Sequence, residues 1–249
     1  GILSHARGTL QFFIPQVSIM LYTNLNKTIL GMTLGTAAVG YFSNSLQLNN
    51  VIVTIITTLD IVLLPYMTGL FANNNTKKII QTMDITLHLQ LFFSIPLMFG
   101  LLTVFDKLVP WFFGVDFLFL NNVIPLFTPL IVIIPLGMSI SRQYLMPVGK
   151  IGEYNQSVII GALINIILNL ILLPTIGFFG VVIANIIAEL FVTLVRAISF
   201  VKNTSYKFRW SRIIVYLVSG FLMCIVTRYL TKDMSPNIVT NLIQVIIAV

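Results

Sequence analysis

"GALINIILNLILLPTIGFFGVVIANIIAELFVTLVR", residues 161–196, decides the fold. Two long apolar runs flank a short corner, "PTIGFFG" (174–180), built of turn formers. A spanning helix needs roughly 20 mostly apolar residues, and each run approaches that length. A membrane β-strand would alternate apolar and polar over about 10 residues. Val158–Leu173 shows no such alternation, and neither does Ile124–Ile140. The stretch therefore predicts a helical hairpin inside a membrane. It also carries Asn165, Asn169, Asn185, Glu189 and Arg196, polar groups that are costly in hydrocarbon unless they face protein or a watery cavity.

The rest of the chain fits the same picture. Of 249 residues, 57% are hydrophobic and only 8% charged, and the mean hydropathy is +1.00. Soluble domains carry about 25% charged residues, and one compact soluble core cannot hide this much apolar surface. The net charge of +7 does not point to nucleic acid, because the basic residues sit in short gaps between apolar runs rather than on one face. The single cysteine, Cys224, lies in an apolar run, which leaves no disulfide framework and no Cys-based metal site within the chain.

Apolar runs fall at about 9–30, 38–70, 84–105, 118–141, 157–173, 179–201, 212–230 and 237–249. The expectation is an all-α, polytopic transmembrane bundle of about eight spans, the last incomplete. Pro125, Pro129 and Pro135 each remove a backbone donor, so the fourth run is predicted to kink. One set of gaps holds Arg7, Lys77, Lys78, Arg142, Lys150, Lys202, Lys207, Arg209 and Arg212; the opposite set holds Lys27, Lys107, Arg228 and Lys232. The first set is predicted to be cytoplasmic. The chain opens on GILSHARG, with no initiator Met, and stops inside "NIVTNLIQVIIAV", so it is expected to be a piece of a longer protein.

Candidate chemistry is sparse. No HExxH, CxxC, GxSxG, GxGxxG or P-loop pattern occurs, so neither catalysis, nor a cofactor, nor a metal is expected. The intramembrane polar residues are more informative. Asn165 and Asn169, four apart, share a helix face, and Asn185, Glu189 and Arg196 fall within about 40° of one another. The plain role for the asparagines is hydrogen bonding between facing helices. Glu189, near mid-span, is the strongest candidate for a role in a substrate pathway. Arg196, six residues before Lys202, suits snorkelling to the cytoplasmic surface at least as well as a ligand role. Asp60, in "TTLDIVLLP", is expected to make a helix-packing hydrogen bond. His88 reads as a satisfied interfacial histidine, and Trp111 with Phe112 as an interfacial aromatic anchor. Arg142 first explains orientation and secondarily suits an anionic lipid headgroup.

The same residues resemble a known family. Gly161, Asn165, Asn169, Pro174, Gly177, Gly180, Ala184 and Glu189 follow the paired-helix signature of polysaccharide flippases in the multidrug/oligosaccharidyl-lipid/polysaccharide exporter superfamily. The segments at 11–71 and 112–150, the second with Gly114 and Phe117 at its start and Arg142, Pro147 and Lys150 at its end, are similar to the start and middle of that family's second half. Tyr66 follows Pro65 where the family often has Arg. The resemblance implies the second lobe of a two-lobed transporter, residues 1–249, with the first lobe absent. It implies alternating access that moves lipid-linked oligosaccharides across a bacterial plasma membrane for capsule or exopolysaccharide, and the implied partners are that substrate, membrane lipids and the missing N-terminal lobe. The substrate-pathway candidates are Glu189, Asn165, Asn169, Asn185, Arg196, Arg142 and Asp60. A drug/cation antiporter of the same superfamily is the near alternative. A membrane polysaccharide polymerase or ligase is the distant one, because no outward gap is long enough for its usual loop.

Overall fold

The structure, a computed structural model, describes residues 24–204 and 206–248 together with Val17 and Met20. Among the described residues there is no strand. Most of the run at 9–30 lies outside them; helix α1, seen over 24–34, carries its last part. Then follow α2 (Thr36–Ala72), α3 (Thr76–Phe112), a 3-10 turn (Val115–Phe117), α4 (Leu120–Phe127), α5 (Leu130–Ile140), a π-helical turn (Ser141–Leu145), α6 (Ile151–Ile176), α7 (Phe178–Thr204), α8 (Trp210–Thr231) and α9 (Ile238–Ala248). Six helical stretches among the described residues are long and apolar enough to cross a membrane, with α4, α5 and the π turn counted as one. The chain is a multi-pass membrane protein.

Helices α2 and α3 have 37 residues each, about 55 Å at 1.5 Å per residue, against a hydrocarbon core of about 30 Å. They must tilt or protrude. The proline-rich fourth run breaks as expected. Thr128 and Pro129 interrupt it between α4 and α5, and the π turn follows. The carbonyl of Ile133 accepts a hydrogen bond from Thr193 Oγ1 on α7 at 2.9 Å, so a neighbouring helix supports the irregular stretch.

Packing is inverted relative to a soluble bundle. Helix α6 buries Ser157, Gly161, Asn165 and Asn169, a stripe with a period of four, and exposes Leu163, Ile167, Leu170 and Ile171. Small and polar residues therefore face protein while large apolar ones face outward, as lipid requires. The stripe lets α7 come close: a Cβ on Gly161 would lie 2.3 Å from Val192 Cγ2. The corner between α6 and α7 shrinks to one residue, Gly177, with φ +57°, a conformation that glycine adopts without steric cost.

Two of the three apolar cores among the described residues close the bundle at its ends. Met67, Ile79, Met83, Leu87, Tyr144 and Phe200 join α2, α3, the π turn and α7 at one end. Leu30, Phe42, Val123, Phe127 and Val182 join α1, α2, α4 and α7 at the other.

Candidate functional site

Two of the polar clusters buried in this apolar frame hold the candidates Asn165, Asn169, Asn185 and Asp60. The first joins α1, α6 and α7. Asn26 donates from Nδ2 to Asn185 Oδ1 at 3.0 Å and accepts at Oδ1 from Asn169 Nδ2 at 2.8 Å. Asn169 Nδ2 also reaches the Asn165 carbonyl at 2.9 Å and Asn165 Oδ1 at 3.0 Å. All four side chains are buried. The expected pairing of Asn165 and Asn169 with Asn185 across the hairpin is thus indirect, because Asn26 stands between them. Asn165 Nδ2 and Asn169 Oδ1 have no partner among the described residues, which leaves one donor and one acceptor for a further ligand. Asn169 also lines a cleft of about 300 Å³ between α1 and α6, together with Leu25, Ile29 and Leu173.

The second cluster joins α2, α3, α5 and the π turn around Asp60, which is fully buried. Its Oδ1 accepts from Gln143 Nε2 at 2.6 Å, Ser139 Oγ at 2.7 Å and Gln90 Nε2 at 2.8 Å. Ser139 Oγ also contacts Gln90 Oε1, and Thr86 Oγ1 donates to Gln143 Oε1 at 2.7 Å. Asp60 Oδ2 has no partner among the described residues. The expected packing bond is there, but it is one of three on a single oxygen. The π turn is what swings Gln143 onto the carboxylate, and π turns often mark functional positions.

The remaining candidates fall outside these clusters. Glu189, one turn beyond Asn185 on α7, is partly buried. Arg196 does not snorkel. It is buried, its Nε donates to Ser157 Oγ at 3.0 Å, and its guanidinium lies 4.9 Å from the centre of the Tyr154 ring. The small residues of the α6 stripe leave room for it, and Ser157 and Tyr154 hold it in the α6–α7 interface. Arg142, partly buried in the π turn, makes no hydrogen bond in the Asp60 cluster. His88 is not the satisfied histidine expected, since neither ring nitrogen has a hydrogen-bond partner among the described residues. Trp111 Nε1 donates to Asn241 Oδ1 at 2.6 Å, a bond that ties α3 to α9. No three His, Cys, Asp or Glu side chains come together among the described residues, so both clusters are amides and hydroxyls with one carboxylate.

This frame of outward apolar helices around inward polar groups has relatives. A family described as polysaccharide biosynthesis protein matches residues 5–120, through α2 and α3. The probable low-salt glycan biosynthesis flippase Agl15 of Haloferax volcanii is 21% identical over 210 residues, covering 84% of this chain and 44% of its own length. Among solved structures, the lipid II flippase MurJ in an inward closed conformation shares the fold with a TM-score of 0.77 at 20% identity, over 96% of this chain and 50% of that one. These matches support a polysaccharide and lipid-linked saccharide flippase family. It is the family that the α6–α7 signature resembles. The chain spans about half the length of the relatives it matches.

Asn26, Thr86, Gln90, Ser139 and Gln143 were not among the candidate residues. Thr86 with Gln90 and Ser139 with Gln143 are each four apart, and that same-face spacing was the available signal. Asn26, next to Lys27 at the end of its run, carried none.

Proposed function

We propose that the chain is one lobe of a two-lobed transporter that flips lipid-linked oligosaccharide repeat units across a bacterial plasma membrane by alternating access, for capsule, exopolysaccharide or a similar envelope polymer. The carrying observation is that buried amides and one carboxylate sit inside an apolar bundle in a chain whose matches include two flippases. Coverage of about half of each relative supports reading it as a single lobe that needs a partner lobe to close the pathway. The asparagine cluster, Asp60, Glu189, Arg196 and Arg142 are the groups proposed to meet or position substrate. Sugars and pyrophosphate need donors and acceptors, and the polyprenyl tail needs an apolar path. A cleft of about 430 Å³ between α3, α8 and α9, lined by Phe93, Leu97, Val104, Met223 and Val245 among others, is chemically suited to such a tail. The proposed role is transport and not catalysis.

The test is genetic and chemical. Deleting the gene should make a lipid-linked saccharide accumulate on the cytoplasmic leaflet, and expression of the full-length protein should clear it. Accumulation on the outer leaflet, or none with polymer export intact, would contradict the proposal.

A further inference from the structure

Between α3 and α8, at the end of the bundle that carries Lys202, Lys207, Arg209 and Arg212, lies a niche of about 270 Å³ lined by Asp84, His88, Phe92, Arg212 and Tyr216 among others. Its charges do not cancel. Both oxygens of Asp84 are already engaged: Oδ1 accepts from the Tyr206 hydroxyl at 2.8 Å, and Oδ2 pairs with Arg209 Nη2 at 2.8 Å. Burial and the bond to Asp84 push the Tyr206 hydroxyl well above the usual phenol range, so it stays a donor to that carboxylate. Arg212 makes no ion pair among the described residues. The niche therefore keeps one positive charge without a protein counter-charge.

A second observation points inward. His88 is buried to more than nine-tenths, it lines the niche, and neither ring nitrogen is hydrogen-bonded among the described residues. The nearest acidic atom, Asp84 Oδ1 at 3.6 Å, is beyond hydrogen-bond reach. A buried imidazole with both nitrogens idle is rare unless water or a ligand completes it.

Helix polarity adds a third. Helix α8 begins at Trp210 with Arg209 as its N-cap, has no side-chain cap, and carries no acid in its first turn. Arginines at the N-terminal end of a helix repel its dipole, whereas an anion placed there is favoured by both. The α3 wall of the niche carries Ile85, Leu89 and Phe92, all exposed, as is Trp210 on α8. A cationic niche thus opens onto an apolar strip.

We propose that this niche binds the phosphate headgroup of an anionic membrane phospholipid, with Arg212 and His88 as headgroup ligands and Ile85, Leu89 and Phe92 as the bed for an acyl chain. The site is separate from both polar clusters and does not depend on the transport reading. A phospholipid is favoured over a soluble phosphate because the apolar strip continues the niche, and over a zwitterionic lipid because the uncompensated Arg212 repels a second cation.

Trp210 is a built-in reporter, two residues from Arg212. The full-length protein is placed in phosphatidylcholine bilayers containing a small fraction of either brominated phosphatidylglycerol or brominated phosphatidylcholine. The quenching assigned to Trp210 is the part lost in Trp210→Phe. Brominated phosphatidylglycerol should act as though enriched about fivefold at the site, the preference one basic residue gives an anionic lipid. Arg212→Gln, an exposed and fold-neutral change, should reduce this to the bulk-lipid level, His88→Leu should weaken it, and Lys77→Gln should leave it unchanged. Equal quenching by the two brominated lipids, or an unaltered preference in Arg212→Gln, overturns the proposal. Displacement of the brominated lipid by inorganic phosphate would mark a soluble-phosphate site and overturn it as well.

Discussion

Asn26→Leu removes the residue through which α1 holds the α6–α7 hairpin. Two hydrogen bonds are lost, to Asn185 at 3.0 Å and from Asn169 at 2.8 Å. They are not equivalent. Asn169 Nδ2 keeps the Asn165 carbonyl and Oδ1, so its loss is partly made good. Asn185 Oδ1 loses the only donor recorded for it among the described residues. Hydrogen bonds between membrane helices contribute about 0.6 kcal/mol on average and up to about 1.7, and a buried acceptor left bare costs about 1–3 kcal/mol. Asn26→Leu should therefore lower stability by about 2–3 kcal/mol. A double-mutant cycle separates the two bonds. Asn26→Leu with Asn185→Leu should show coupling near 1 kcal/mol, and Asn26→Leu with Asn169→Leu clearly less. The assay is reversible unfolding of the full-length protein in mixed detergent micelles. If the Asn26–Asn185 coupling lies within about 0.3 kcal/mol of zero, the additivity limit, the three-helix linkage is wrong.

Gly180→Ala would set a Cβ 2.4 Å from the Leu172 carbonyl oxygen and 2.9 Å from the Leu173 nitrogen; because backbone cannot yield, the folded yield should fall sharply, while Gly152→Ala, which meets nothing within 4 Å, should be neutral. Equal yields from the two would remove steric closure as the reason for glycine at that corner. Asp60→Leu strips the acceptor shared by Gln90, Ser139 and Gln143 and should cost about 1–3 kcal/mol for each donor left bare, whereas Asp60→Asn keeps an oxygen there and should hold membrane abundance near wild type. Similar abundance for both variants would mean that the cluster does not hold α2, α3 and α5 together. For orientation, a cysteine at Asn74 should resist a membrane-impermeant thiol reagent in intact cells and one at Thr175 should react; the reverse pattern would invert the topology.

The bundle was legible because composition forces it. With 8% charged residues, apolar surface has to meet lipid, and the runs then mark the helices. The corner and part of the α6 stripe were legible too, since both are local: turn formers marked 174–180, which the helices shorten to Gly177, and Asn165 and Asn169 are four apart, but Ser157 and Gly161 gave no sign of joining their face. The polar clusters were visible only in part. Asn165, Asn169, Asn185 and Asp60 stood out against apolar neighbours, but their partners did not. Asn26 sits beside Lys27 at the edge of a run, where a polar residue passes for loop, and Gln90, Ser139 and Gln143 come from helices that only tertiary packing brings to Asp60. Arg196 was misread for the same reason. Its distance from Lys202 suggested a route to the surface, while Ser157 and Tyr154, about 40 residues earlier in sequence, offered a nearer partner in space.

The most direct test of the proposed transport is the flipping rate itself. The full-length protein is reconstituted into liposomes with a fluorescent lipid-linked oligosaccharide, and an impermeant quencher reports how fast label crosses the bilayer. The expected result is crossing well above that of protein-free vesicles, saturable with the lipid-linked sugar and insensitive to an excess of a hydrophobic cationic drug. Protein that unfolds cooperatively, and is therefore intact, yet leaves the crossing rate at the protein-free level would contradict the account.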